Sequence, residues 1–374
     1  MTEHRPVWAE VDLGAVRHNA GVLATLAGPA VLCAVVKANG YGHGAVPVAR
    51  AALEGGASWL AVALVEEGVE LREAGIDAPL LVLSEPPHEG MEEVVARDLT
   101  PTLYTEGGVE AAAKAVAVTG RDTPLAVHIK VDTGMHRVGA APEAALGLAD
   151  AVNRRPELRL AALWTHLAVA DEPENPFTAS QLERFDRVRA TLARRGTGPE
   201  LVHAANSAAL IAHPASRYDL VRCGIALYGI DPSPELAGRI DLRPAMALKA
   251  RVSYVKEVPA GDRVSYGLRY RFERPSTVAT VPIGYADGVT RRLSAVGGEV
   301  LLGGRRRPIA GAVTMDQIMV DCGDDTGVAM GDEVVLIGRQ GDDEIGAVDW
   351  ARLLDTIGYE VVCGVGARVP RVYV

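Results

Sequence analysis

The sequence predicts an α/β chain: an N-terminal (β/α)8 barrel of the TIM type, followed by a mainly antiparallel β C-terminal domain. Two observations carry this. Eight short apolar runs alternate with longer Ala-rich stretches, over about 230 residues in all, the size of a (β/α)8 unit. After Asp231-Pro-Ser-Pro the long helical stretches end, and alternating strands separated by Gly-rich turns take over.

The eight runs begin at Val31 (VLCAVVK), Trp59 (WLAVAL), Leu80 (LLVLS), Thr100 (TPTLY), Leu125 (LAVHIKVD), Leu158 (LRLAALWTHL), Leu201 (LVHAA) and Leu220 (LVRCGIALYG). Nearly continuous apolar strands between helices imply a parallel sheet buried on both faces. Helices are expected at 45–54, 66–74, 106–119, 142–153 and 180–194. An open doubly wound sheet has the same element count and competes with the barrel. The composition changes near 232–243, so the domains are set at 1–235 and 236–374. In the second, strands are expected at 248–258, 276–283, 317–321, 333–337 and 360–363, with one helix at 347–354. The segment 6–11 is a further strand, open to pairing with either domain.

Composition removes several classes of function. The chain has 374 residues, 48% of them hydrophobic and 23% charged, with a net charge of −10. That acidic balance argues against a general nucleic-acid binder and against an anionic membrane surface as partner. The opening residues have no apolar signal region, and no run approaches the ~20 apolar residues of a membrane span. Cys33, Cys223, Cys322 and Cys363 are scattered without a C-x-x-C pair. They read as buried thiols in a reducing compartment, not as a disulfide frame or a metal site. A cytoplasmic enzyme acting on a small molecule is expected.

The segment Ala34-Val-Val-Lys37-Ala-Asn-Gly-Tyr41-Gly-His-Gly44 says most about chemistry. It sets a lysine at the C-terminal end of an early buried strand, where barrel active sites form. Desolvation there lowers a lysine pKa, and a neutral amine can form a Schiff base. The glycines let backbone approach a ligand closely. A salt-bridged surface lysine beside an ordinary Gly turn is the plain alternative. Gly40-x-Gly42-x-x-Ala45 also matches a dinucleotide fingerprint, but alone that pattern is weak, and the eight-unit count and later β domain do not suit it.

Lys37-Ala-Asn-Gly-Tyr-Gly-His-Gly resembles the pyridoxal-phosphate motif of alanine racemases. The resemblance continues through Lys130-Val-Asp-Thr-Gly-Met-His-Arg137-Val-Gly, Trp164-Thr-His166, His203-Ala-Ala-Asn206-Ser207 and Arg222-Cys-Gly-Ile-Ala-Leu-Tyr-Gly229. It resumes at Val264-Ser-Tyr266-Gly, Pro282-Ile-Gly-Tyr285-Ala-Asp-Gly288, Thr314-Met315-Asp316-Gln317, Gly358-Tyr359-Glu360 and Arg368-Val-Pro-Arg371. It therefore covers nearly the whole chain in order.

The family implies roles. Lys37 resembles the lysine holding pyridoxal 5'-phosphate as a Schiff base, and its freed amine would serve as base on one face of Cα. Tyr266 matches the tyrosine acting on the opposite face. An ordinary phenol titrates near ~10, so neighbouring positive charge would be needed to make it a good base. Arg222 matches the arginine facing the pyridine nitrogen. Arginine only donates, so the ring nitrogen would accept a hydrogen bond without gaining a proton. That weakens the electron sink and favours reprotonation at Cα over transamination. His166 would link Arg222 towards Tyr266. The phosphate would be held by the hydroxyls of Tyr41, Ser207 and Tyr359 and by the N–H groups of Gly224 and Ile225. Arg137 and the Met315 N–H would bind the substrate carboxylate. Lys130 matches a position carbamylated in some members, which would give Arg137 an anionic partner. Tyr285 and Tyr359 would narrow the entrance, Asp316 would brace the loop presenting Met315, and Asn206 belongs to the supporting set.

Each residue also has a plain reading: a half-buried strand tyrosine for Tyr266, a satisfied core histidine for His166, a helix N-cap for Ser207. Gly40, His136 and Thr314 depart from the residues common in the family, and none of these removes a catalytic group. The activity implied is interconversion of L- and D-alanine by two-base proton exchange, supplying D-alanine for peptidoglycan. The family assembles as a head-to-tail homodimer with active sites shared between chains. A serine or broad-specificity racemase of the same fold is the alternative. An amino-acid decarboxylase of this fold usually places an acid where Arg222 stands, and a non-catalytic cofactor carrier lacks the β domain.

Overall fold

The computed structural model describes residues 4–374. They form two compact units: Gly14–Gly40 with Ala45–Arg243, and residues 4–13 with Tyr41–Gly44 and Pro244–Val374. The first strand, β1 (Val7–Val11), lies in the second of these units.

All eight apolar runs form strands of one parallel sheet: β2 (Val31–Val35), β3 (Trp59–Val62), β4 (Leu80–Val82), β5 (Thr100–Leu103), β6 (Leu125–Lys130), β7 (Leu158–Trp164), β8 (Leu201–His203) and β9 (Leu220–Cys223). Their order is β8-β7-β6-β5-β4-β3-β2-β9, so each strand lies beside its chain neighbour and the last pairs with the first. A doubly wound sheet would reverse order at a switch point. Asp219 N–H donates to Val202 O (3.0 Å) and Arg222 N–H to Ala205 O (2.9 Å), bridging β8 and β9. The sheet is a closed (β/α)8 barrel.

Local chemistry sets the helix ends. The Thr105 hydroxyl accepts from Gly108 N–H at the start of Glu106–Thr119, and Gly120 closes it at φ 66°. Pro142 opens Pro142–Asn153, and Gly196 ends Phe177–Arg195. The helices Leu13–Ala27 and Met91–Ala96 lie outside the helical stretches expected from the sequence, and Ser207–Ala212 forms where the plain reading of Ser207 puts a helix start. Leu13–Ala27 has no acidic residue in its first turn and no basic one in its last, so it lacks the charge signals that mark helix ends.

The second unit is mainly β. Its strands are β10 (Met246–Arg251), β11 (Tyr254–Val258), β12 (Arg263–Val264), β13 (Tyr270–Arg271), β14 (Ser276–Val281), β15 (Glu299–Leu302), β16 (Arg305–Pro308), β17 (Ile318–Asp321), β18 (Glu333–Gln340), β19 (Asp343–Ile345) and β20 (Arg371–Tyr373). The large sheet runs β16-β15-β18-β10-β1-β20, with β19 on β18. A second sheet runs β11-β14-β17, and β12 pairs with β13. β1 lies antiparallel to β10 and parallel to β20, so the opening strand joins the β sheet. Its side chains alternate buried and half-buried, as a strand with one covered face requires.

Three expectations need correction. The strand at 248–258 is two strands, because Val252 N–H donates to Asp332 O and Ser253 N–H to Thr280 O. The chain crosses there from one sheet to the other. The strand at 360–363 is the helix Gly358–Cys363, a second helix in this unit. Val361 and Val362 are both buried, which the alternation of a half-covered strand does not allow. Cys363, on that helix, is exposed, whereas the other three cysteines are buried.

Candidate active site

β2 ends at the segment carrying Lys37, and the chain then enters a left-handed turn. Ala38, Asn39 and Gly40 have φ,ψ of 52°,50°, 52°,49° and 60°,45°, and Tyr41 has φ 51°. Each L-residue there costs roughly 1–2 kcal/mol, so the surroundings must impose the turn. Ala38 N–H donates to Glu67 Oε1 (2.6 Å), Gly40 N–H to Val36 O (2.8 Å), and Ala45 N–H to Asn39 Oδ1 (2.9 Å). Gly42 follows at φ 81°, where a Cβ would stand 2.4 Å from the Val362 carbonyl oxygen. Strain concentrated beside one lysine at the C-terminal mouth of a barrel marks a built site.

The other barrel candidates share this mouth. Lys130 ends β6, His166 follows β7, Ser207 follows β8, and Arg222 lies in β9. Lys130 is 3% exposed, with Nζ 4.5 Å from the centroid of the Trp164 ring. Burial, then the charges of Arg137 and Arg222, push its amine down to about 7. Lys37 adds to this and Asp132 opposes it. Lys37, Lys130, Arg137 and Arg222 therefore form one cationic cluster. His166 feels all four, and burial with these charges keeps its imidazole well below the ordinary value.

Arg222 is the best-held group. Its guanidinium donates to Nδ1 of His203 (2.7 Å), the carbonyls of Thr165 (2.9 Å) and Ala204 (3.0 Å), and Nδ1 of His166 (3.4 Å). It also lies over Trp164, 4.5 Å from the ring centroid. Among the described residues, none of these partners is a carboxylate. Burial lowers its pKa to about 10, so the cation persists at neutral pH.

Beside it, Gly224 N–H (3.0 Å) and Ala226 N–H (3.5 Å) converge on Ser207 Oγ. The N-cap of the helix Ser207–Ala212 is Asn206, whose Oδ1 accepts from Ala209 N–H (2.9 Å); Ser207 is the first helical residue. Behind Arg137, Asp132 Oδ1 accepts from Gly134 N–H (2.9 Å) and His136 N–H (3.1 Å), shaping the loop that ends in this arginine.

The β unit carries the remaining candidates. The Tyr41 and Tyr359 ring centroids are 6.2 Å apart. Tyr266 is 70% exposed on a turn whose neighbours Ser265, Gly267 and Leu268 have φ of 66°, 75° and 47°. Ser265 Oγ ties that turn to Ala312 O (2.7 Å). Two residues further on, Thr314 O accepts from Tyr285 N–H (3.0 Å), and Met315 O from Ala286 N–H (3.1 Å). Gly284 permits this approach, since a Cβ there would sit 2.3 Å from Thr314 O. Asp316 accepts from Arg368 (2.7 Å). One loop, 311–317, thus braces both the Tyr266 turn and the Tyr285 segment and presents Met315.

Comparison with known proteins identifies this arrangement. Residues 11–232 match the alanine racemase N-terminal domain, and residues 245–373 the alanine racemase C-terminal domain. The chain belongs to the alanine racemase family. The alanine racemase of Symbiobacterium thermophilum is 50% identical over 369 residues, 99% of this chain and 97% of that protein. That of Desulfovibrio desulfuricans is 45% identical over 371 residues, 99% and 98% of the two chains. The alanine racemase structure from Streptomyces lavendulae superposes with a TM-score of 0.93 at 41% identity, covering 100% of this chain and 98% of that one. The Bacillus anthracis enzyme, solved with bound L-Ala-P, gives 0.93 at 39% identity, with 100% and 96% coverage. The activity is that of an alanine racemase, an isomerase; a serine-directed reading is not favoured.

For this racemase, reading the motifs missed residues that hold the site from behind. His203 and Trp164 stood inside quoted motifs without a role. Thr133, Thr165 and Gln181 had none either, yet Gln181 Nε2 donates to Thr133 Oγ1 and to His166 O, each at 3.1 Å. Thr133 and Thr165 hydroxyls lie 2.8 Å apart. The available signal was the strand period of two. His128 and Lys130 share one face of β6, and polar residues on an inward face of a buried strand need partners.

Proposed function

We propose that this racemase binds pyridoxal 5'-phosphate on Lys37 and interconverts L- and D-alanine with Lys37 and Tyr266 as opposed proton carriers. It works in the cytoplasm as a head-to-tail homodimer, supplying D-alanine for peptidoglycan. The observation that carries this is Arg222, a buried guanidinium whose hydrogen-bond acceptors among the described residues are all neutral. It can donate to a pyridine nitrogen and cannot protonate it. Pairing with an acid would instead favour transamination or decarboxylation.

The residues fit such a cofactor. The cluster of Lys37, Lys130, Arg137 and Arg222, opposed by Asp132, suits a phosphate and a carboxylate. The N–H groups of Gly224 and Ile225, with the hydroxyls of Ser207, Tyr41 and Tyr359, would donate to the phosphate. Bound pyridoxal phosphate supplies the sink for the electron pair left on Cα. Lys37 holds a proton on one side of Cα. Tyr266 holds one on the other. Arg137 and the Met315 N–H orient the substrate carboxylate. His166 relays the position of Arg222 towards Tyr266. Tyr285 and Tyr359 limit the side chain to a small group, in keeping with a relative solved with bound L-Ala-P.

Lys130 extends the reading. An amine near 7 is partly neutral at physiological pH and can add carbon dioxide. The carbamate would place an anion beside Arg137. In 13C-labelled bicarbonate, a protein-bound carbamate resonance is expected, and Lys130→Met should remove it. A spectrum identical in both proteins would exclude the carbamate.

The test of the whole reading is chiral chromatography of L-alanine incubated with protein and pyridoxal phosphate in D2O. D-alanine carrying deuterium at Cα is expected. Lys37→Ala should lose both this product and the covalent cofactor absorbance. Retention of either by Lys37→Ala would remove Lys37 from its role.

A further inference from the structure

The barrel interior contains a buried row of imidazoles that the reaction described above does not use. Arg222 Nη1 donates to Nδ1 of His203 (2.7 Å), and Nε2 of His203 lies 3.1 Å from Nδ1 of His128. Both histidines are 0% exposed. Nε2 of His128 has no partner among the described residues. The His203 ring stacks on Trp164 at 5.4 Å and 9°, and His128 meets His203 edge-on at 5.1 Å.

The arginine end fixes where the protons sit along this row. A guanidinium only donates, so Nδ1 of His203 must accept and carries no proton. Neutral His203 then bears its proton on Nε2 and donates it to Nδ1 of His128. His128 in turn keeps its own proton on Nε2. Burial and the charge of Arg222 hold both rings neutral, that of His128 down at about 3. Thr102 pairs with His128 across β5 and β6, and its buried hydroxyl also has no partner among the described residues.

We propose that His128 is a positioning residue for the racemase: by accepting the Nε2–H that Arg222 dictates on His203, it anchors that ring where Nδ1 meets the guanidinium, and so orients Arg222. This rests on the reading that Arg222 faces the pyridine nitrogen. His128 lies on the far side of His203 from Arg222, so its influence passes through two hydrogen bonds and no direct contact with cofactor or substrate is invoked. Without an acceptor at position 128, the His203 Nε2–H is buried and unbonded. The ring is then held from one side only, and either turning away or moving its proton to Nδ1 against the Arg222 donor disturbs the guanidinium.

The test is long-range 1H–15N NMR of the holoenzyme labelled on histidine, for the wild type, His128→Phe and His128→Asn. The wild type is expected to show His203 protonated on Nε2. In His128→Phe, His203 is expected to lose the hydrogen-bonded Nε2–H signal of the wild type, whichever ring nitrogen keeps the proton. Its cofactor Kd should rise about tenfold and its kcat fall about tenfold, while KM for alanine changes less than about twofold, the scale of one neutral hydrogen bond. In His128→Asn, the carboxamide oxygen can occupy the place of Nδ1 and should return all three readouts to within about threefold of wild type. A wild-type His203 protonated on Nδ1 would overturn the proposal without any variant. So would a folded His128→Phe whose His203 15N and 1H shifts and cofactor affinity match wild type. A wild type that binds cofactor but does not racemise alanine would instead refute the function on which the proposal rests, leaving the tautomer result standing.

Discussion

Tyr266→Phe is expected to keep the cofactor bound and lose most racemisation. Removing a positioned proton carrier costs roughly 10²–10⁴-fold in rate. Proton abstraction from L-alanine, read as exchange at Cα in D2O, should suffer more than abstraction from D-alanine, because the phenol serves one face of Cα and Lys37 the other. Folding should hardly change, since Tyr266 is 70% exposed and a surface substitution of this kind typically shifts stability by no more than about 0.5 kcal/mol. The turn itself depends on Ser265, Gly267 and Leu268 at positive φ and on the Ser265–Ala312 hydrogen bond, none of which the substitution touches. The measurement is initial rates in both directions by chiral chromatography, with cofactor absorbance and melting temperature as controls. Equal wild-type rates in both directions would remove Tyr266 from the mechanism. The same variant tests assembly. If Lys37 of one chain works with Tyr266 of another, mixing inactive Lys37→Ala and Tyr266→Phe proteins should restore about a quarter of wild-type activity, since about half the dimers are mixed and each has one intact site. No recovery after verified subunit exchange would place both residues of a site in one chain.

The barrel was legible because its strands carry their signal within themselves. Each apolar run, from Val31 to Leu220, opens a strand at the residue expected, since a strand buried on both faces needs continuous apolar residues. The β unit was less legible where structure depends on distant partners. Nothing local in 248–258 announces that Val252 bonds one sheet and Ser253 another. The six residues Gly358–Cys363 are too short for periodicity to separate helix from strand. The candidate site was legible in its charged groups, because an unusual residue type in or just after an apolar strand stands out: Lys37 after Val36, Arg222 within an apolar β9. Its supports were not. Gln181 looks like any polar residue on a helix. Only the fold shows that it is buried and bonded to Thr133 and His166.

Arg222→Glu should change the kind of chemistry as well as its rate. The guanidinium now donates to two carbonyls and two imidazoles. A carboxylate in its place would face the oxygens of Thr165 and Ala204, which repel it, while Nδ1 of His203 would gain a reason to bear a proton. Exchanging a buried, hydrogen-bonded cation for an acid should cost folding about 3–5 kcal/mol, so melting temperature falls. At the site, an acid can give the pyridine nitrogen the proton that arginine withholds. The electron sink deepens, and protonation away from Cα begins to compete. Racemisation is expected to drop roughly 10²–10³-fold, the cost of losing one preorganised donor at a charge-developing centre. At the same time pyruvate should accumulate from alanine, with loss of the active cofactor form, neither of which the wild type should show at comparable turnover. The assay is pyruvate release measured alongside D-alanine formation, on protein confirmed as folded and cofactor-loaded. A loaded variant that racemises within tenfold of wild type and yields no pyruvate would mean that Arg222 does not govern the ring nitrogen. Because His203 and His166 both take their orientation from this side chain, the Trp164–His203 stack is expected to loosen in the variant. The ring fluorescence of Trp164 offers an independent view of that change, readable before any substrate is added.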